Sequence, residues 1–143
     1  MAIVLIGVDN SEASTRAVEF ALERANAEDL QLVVAHVINW SPFSFNTPTE
    51  NEERSSRRSS EIAAAQEQVI APMVAVVEAA GRTSKTEIRH GNPSETLIDI
   101  AQDLGASHII VGRTGDSGLR EAIFGSVVMR LVHSSPFPVT VVP

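Results

Sequence analysis

Apolar residues recur along this chain in two different rhythms. Residues 2–8 (AIVLIGV), 30–37 (LQLVVAHV), 83–90, 108–111 and Val139–Val142 predict five strands. Three of the five are near-continuous apolar runs, as expected of strands covered on both faces. Residues 83–90 alternate instead. Thr86 and Ile88 stand against Lys85, Glu87 and Arg89, which predicts a strand with one wetter face at a sheet edge. Between the strands the spacing changes to three and four. Asp9, Asn10 and Ser11 are all good N-cap residues, and Ala13, Ala17, Phe20, Ala21 and Ala25 share one helical face behind them. A long helix is expected over residues 50–80. Its first part (ENEERSSRRSSE) is polar all round and reads as a solvated helix start. Its second part places Ile62, Val69, Met73, Val76 and Ala80 at spacings of three, four and seven. Pro72 should kink or restart that helix, and Gly81 should stop it. Asn92-Pro93-Ser94-Glu95 opens the next helix, with Asn92 as N-cap and Pro93 at the first helical position. Leu97, Ala101 and Leu104 are its buried stripe and Gly105 its end. A last helix runs from Ser126 to near Ser134, before Pro136 and Pro138.

Strand and helix thus alternate from end to end. Strands separated by helices need crossover connections, so the expectation is a single-domain α/β fold: an open five-stranded parallel sheet with helices on both faces. The 143 residues suit one domain of ordinary size, here residues 1–143. With 43% apolar and 20% charged residues, the composition is that of a globular chain. No apolar run approaches the roughly 18 residues of a membrane span, so no membrane insertion is expected. Residues 1–8 lack a basic n-region and a cleavage site, which makes the cytoplasm the expected location. The chain has no cysteine; disulfides, thiolate nucleophiles and Cys-ligated metals are excluded. A net charge of −7 would repel a phosphate backbone, so nucleic acid is not an expected partner.

In open α/β sheets ligands bind beyond the carboxyl ends of the strands, where the strand order reverses. The residues leaving the first and fourth strands are Asp9 and Gly112. Neither G-x-G-x-x-G nor a GxxxxGK[ST] loop occurs. What does occur is Gly112-Arg113-Thr114-Gly115, nine further residues, then Gly125-Ser126 opening a helix. Glycines let backbone approach an anion, and the amides of Ser126, Val127 and Val128 are orphan donors at a helix N-terminus. The same residues could equally turn the chain and cap a helix; spacing alone leaves both readings open. Arg113 and Arg120 could pair with phosphate or simply be solvated. Trp40, Phe43 and Phe45 read as a small apolar cluster in a loop. Gly115-Asp116-Ser117-Gly118 looks like a serine-protease loop, but that chemistry needs a positioned His and Asp. The four histidines, His36, His90, His108 and His133, show no metal-ligand spacing.

Gly-x2-Gly-x9-Gly-Ser is the nucleotide-binding pattern of the universal stress protein family, and the chain resembles that family along its whole length. VLIGVDNSE resembles the opening strand and Asp-x-Ser turn, and VVAHV the second strand. GNPSETLIDIAQDLGASHIIVGRTG resembles the third helix and fourth strand, and FGSVVMRLVHSSPFPVTVVP the closing helix and strand. The resemblance implies strand order 3-2-1-4-5 in a Rossmann-like, adenine-nucleotide-hydrolase-like fold. It implies ATP or another adenine nucleotide as ligand, with Mg2+ or Mn2+ carried on the phosphates. Val8 and Asp9 would contact ribose and adenine, Val37 would line the adenine pocket, and Val111 and Gly112 would flank the nucleotide. Gly115, Gly125, Ser126 and Val127 would cradle the phosphates. Val128 departs from the pattern, because ATP-binding members often carry a hydroxyl there. One lost neutral hydrogen bond weakens affinity about tenfold without abolishing it. The last strand should lie at a sheet edge and pair with its copy in a homodimer through Val139–Val142.

No activated nucleophile and no oriented general base is evident. The expected function is therefore a nucleotide-dependent regulatory module of a stress response that acts on an unidentified partner protein. The alternatives are a slow ATPase or nucleotidyl-transfer enzyme on the same fold, or a dimerisation module without nucleotide.

Overall fold

The computed structural model describes residues 1–39, 48–114 and 125–143, apart from the side chains at 48–51 and 54. Five strands form one sheet: β1 (Ala2–Gly7), β2 (Leu30–Asn39), β3 (Ser84–Gly91), β4 (His108–Gly112) and β5 (Val139–Val142). Every pairing is parallel, and the order is β3-β2-β1-β4-β5. The helices are α1 (Glu12–Ala27), α2 (Pro48–Ala65), α3 (Ala71–Ala79), α4 (Pro93–Leu104) and α5 (Ser126–Ser134).

Alternation along β1 divides the interior into two layers. Val4, Ile6 and Val8 face α1 and α3, together with Val18, Ile70, Met73 and Val77. Leu5 faces α4 and α5, together with Leu97, Ile100, Val128 and Leu131. Burial of both faces is what the near-continuous apolar strands require. β3 is the polar edge. There Arg89 pairs with Asp103 at 2.8 Å and Glu87 at 3.0 Å. The bond from Asp103 raises the Arg89 pKa above its ordinary value, and these charges blunt the open edge.

Helix ends follow the sequence closely. Asn92 accepts from Glu95 N–H at 3.2 Å. At Gly81 (φ +75°) the Gly81 N–H donates to Glu78 O and the Arg82 N–H to Val77 O, the Schellman closure of a helix. The N-cap of α1 is Ser11, whose side chain accepts from Ser14 N–H.

The long second helix differs from its expected form. A π-helical turn, Gln66–Ile70, separates α2 from α3. Pro72 has no N–H and crowds the preceding turn, and the chain widens just before it, with Ala71 N–H donating to Gln66 O. The extra residue rotates the apolar stripe. Ile62 and Ala80 are exposed, while Val69, Ile70, Met73 and Val77 are buried. The run Ser55–Ala79 also reaches the length and composition of a membrane span, with a window of mean hydropathy 1.3. The sequence reading missed this because Gln66, Glu67, Gln68 and Pro72 interrupt the apolar residues. Val69, Ile70, Met73 and Val77 from this run pack into the core layer with α1 and the sheet, and 28% of its apolar window is buried.

Candidate functional site

β1 pairs with β2 on one side and β4 on the other, so the strand order reverses at the carboxyl end of β1. A cleft of about 350 Å³ opens there. Seven of the residues expected at the site line it: Val8, Asp9, Val37, Val111, Gly112, Val127 and Val128. Its walls are largely apolar, with Ala35, Ile38, Pro93 and Leu97 joining the valines. Polar groups gather towards the start of α1, at Asp9, Ser14 and Thr114. A smaller cleft of about 150 Å³ adjoins it. Asn39, Pro93 and Val127 line both, and Asn92, Ser94, Ser126 and Arg130 complete the smaller one.

The start of α1 is tied down by short polar bonds. Ser11 N–H donates to Asp9 Oδ1 at 3.0 Å and Ser14 Oγ donates to the same oxygen at 2.8 Å. Asp9 N–H returns a bond to Ser14 Oγ at 2.8 Å. The backbone before it is held across the sheet: Val8 N–H donates to Ala35 O, and His36 Nδ1 lies 2.7 Å from Val8 O. A carbonyl only accepts, so Nδ1 of His36 carries a proton.

Val127 and Val128 bring the first turn of α5 into the lining of the cleft. Gly125 is its N-cap and supplies no side-chain bond. Ser126, Val127 and Val128 are its first three residues, whose N–H groups have no acceptor inside the helix. Gly125 N–H donates to Arg113 O at 3.1 Å, which sets this helix end beside the end of β4. Arg113 does not line the cleft; its N–H donates to Val142 O at 2.7 Å. Its Nε is buried and has no hydrogen-bond partner among the described residues. Gly115 and Arg120, the Asp116-Ser117-Gly118 triplet, and Trp40, Phe43 and Phe45 lie outside the described residues.

Gly112 lines the cleft, but the closest approach at its Cα comes from α1. A Cβ there would sit 2.7 Å from the backbone C and O of Ala13. Sequence reasoning missed Ser14, His36, Asn39, Pro93 and Leu97 as cleft residues. The fold brings them in from α1, β2 and α4, and no local motif marks them. Among the described residues no group of three His, Asp or Glu side chains converges to hold a metal. His108 stands at the opposite, amino end of β4, where burial first and Arg24 second lower its pKa.

An apolar slot at the switch point, lined by an anchored carboxylate and by the first turn of a helix, is the layout of nucleotide-type α/β proteins. The chain belongs to the universal stress protein family, whose model matches residues 1–143. It is 33% identical over 146 residues to a universal stress protein of Mycolicibacterium smegmatis, covering 97% of this chain and 47% of that relative. The chain thus spans about half the length of that relative. Among solved structures it is similar to the protein MJ0577, with TM-score 0.83, 25% identity and coverage of 99% and 94% of the two chains. It is also similar to UspA from Lactobacillus plantarum, with TM-score 0.79, 26% identity and coverage of 99% and 97%. More distant members share the fold and were solved with adenine nucleotides. One from Archaeoglobus fulgidus holds dAMP (19% identity, TM-score 0.74, coverage 100% and 98%). Another, from Arabidopsis thaliana, holds AMP (19%, 0.67, 99% and 91%). A third holds cAMP (24%, 0.64, 99% and 96%).

Proposed function

We propose that this protein binds ATP or another adenine nucleotide in the switch-point cleft and acts as a nucleotide-dependent regulatory module. The observation that carries the reading is the cleft itself, a largely apolar slot lined by Asp9 and by Val127 and Val128 from the first turn of α5. Apolar walls suit a base, a carboxylate suits ribose hydroxyls, and bare helix amides suit phosphate. The adenine nucleotides held by the three family members named above support the same class of ligand. Mg2+ or Mn2+ is carried on the ligand's phosphates, and occupancy biases a surface that a partner protein reads.

Calorimetric titration with ATP, ADP and AMP tests the reading. Heat of binding is expected with at least one of them; none with all three overturns it. A co-purified nucleotide will dominate the ultraviolet spectrum, because the chain has one Trp and no Tyr. Steady-state phosphate release separates a binding module from a slow ATPase.

The homodimer belongs to the same proposal. Ile109 N–H donates to Pro138 O and Arg113 N–H to Val142 O. These bonds turn the backbone of the even-numbered β5 residues towards β4. The N–H and C=O groups of Val139 and Val141 therefore face outwards, with Met129 and Val132 exposed on the neighbouring α5. Antiparallel pairing of two such edges about a two-fold axis would satisfy both. Val141→Pro removes one outward donor and leaves the β4 bonds intact. Sedimentation is expected to show a dimer for the native chain and a monomer for the variant.

A further inference from the structure

We propose that Ser14 is a positioning residue for the ligand, setting the Asp9 carboxylate that grips the ribose. The inference rests on the adenine-nucleotide reading and adds a residue to it. Ser14 occupies the first turn of α1, where a side chain points back towards the helix N-terminus. It is 3% exposed and lines the cleft. Its hydroxyl donates to Asp9 Oδ1 at 2.8 Å and accepts from Asp9 N–H at 2.8 Å. One oxygen thus clamps both the backbone and the carboxylate of the same residue. The Ser11 N–H bond to Oδ1 at 3.0 Å gives the carboxylate a second donor from another direction. A hydroxyl has a single proton, so the Ser14 proton is committed to Asp9. Ser14 therefore acts through Asp9 and leaves the ribose to the carboxylate. Ser11 supports the same unit: its hydroxyl caps α1 by accepting from Ser14 N–H at 3.2 Å and donates to Ser14 Oγ at 3.3 Å.

The test compares ATP with 2′,3′-dideoxy-ATP by calorimetry on the full chain. The native protein is expected to prefer ATP by about tenfold, the yield of one or two charge-assisted hydrogen bonds to ribose. In Ser14→Ala that preference is expected to fall to twofold or less. Adding Asp9→Asn to Ser14→Ala is expected to lower it no further, because both changes remove one unit. Val18→Ala, buried on α1 and outside the cleft, is the structural control. It should lower the Tm as a truncated core residue does and leave the ribose preference unchanged. Ser14→Cys keeps the size of the side chain with a weaker donor, and its intermediate preference serves if the alanine variant does not fold. A Ser14→Ala or Ser14→Cys protein with the full native preference overturns the inference and leaves nucleotide binding standing. A native protein that binds ATP and the dideoxy analogue equally also overturns it. A native protein that binds neither overturns the nucleotide reading itself, and this inference with it.

Discussion

Gly112→Val is expected to lose about 3 kcal/mol of stability, a drop in Tm of roughly 10 °C for a chain of this size. The added Cβ would meet the backbone C and O of Ala13 at 2.7 Å. Ala13 lies in the first turn of α1 and is 2% exposed, so relief requires moving a buried helix as a body. Gly7 makes a useful contrast. A Cβ there meets only the ends of Leu97 and Val111, at 2.9 and 3.1 Å, and terminal methyls can rotate aside. Gly7→Ala should therefore cost less than Gly112→Ala. Gly81 differs again, with open space around it and φ +75°, so its alanine variant carries backbone strain alone. Urea denaturation of the three variants should rank Gly112 as the least tolerant position. A Gly112→Val protein melting within 2 °C of the native chain would refute the packing account. Gly112 lines the cleft as well, so loosening α1 from β4 should also weaken nucleotide binding.

That double duty shows where the sequence was informative and where it stopped. A glycine after the fourth strand announced a close approach, but not what approaches. The sequence left an anion and a simple chain turn both open; the packing adds the backbone of α1, and Gly112 still lines the cleft. The strands and most helix ends were legible because their signals are local. Asn92 caps α4 with its own side chain, and Gly81 and Gly105 take the positive φ that ends a helix. The π turn was less legible. Pro72 announced a break, but the register that follows depends on how the preceding turn absorbs it, and one added residue exchanged Ala80 for Val77 in the core. Asp9, Gly112, Val127 and Val128 were legible from the switch-point rule and the helix start, and Val8, Val37 and Val111 through the resemblance. His36, Asn39, Pro93 and Leu97 were not, because only the packing of β2 and α4 against the switch point brings them there. Ser14 was hidden by its ordinary appearance, a small polar residue in the first turn of a helix.

Ser126→Asp is expected to lower ATP affinity about 100-fold and to leave adenosine binding nearly unchanged. Ser126 opens α5 and is exposed, so the substitution disturbs no core contact. A carboxylate at this position would occupy the place where a phosphate meets the first amides of the helix. Two unit charges about 4 Å apart near a protein surface repel by about 4 kcal/mol. Solvent screening at an exposed position leaves about 2.7 kcal/mol, the equivalent of 100-fold. The fold should not suffer, because a negative charge at a helix N-terminus is favourable by about 0.3–1 kcal/mol. The variant therefore separates loss of binding from loss of structure: its Tm should hold or rise while its triphosphate affinity falls. Parallel titrations with ATP, AMP and adenosine give the discriminating readout. Loss graded by phosphate charge places the anion at the start of α5, whereas equal loss for all three puts the phosphates elsewhere. If all three bind as they do to the native chain, Gly125 and Ser126 serve only to start a helix, and the phosphate role inferred from their spacing is wrong.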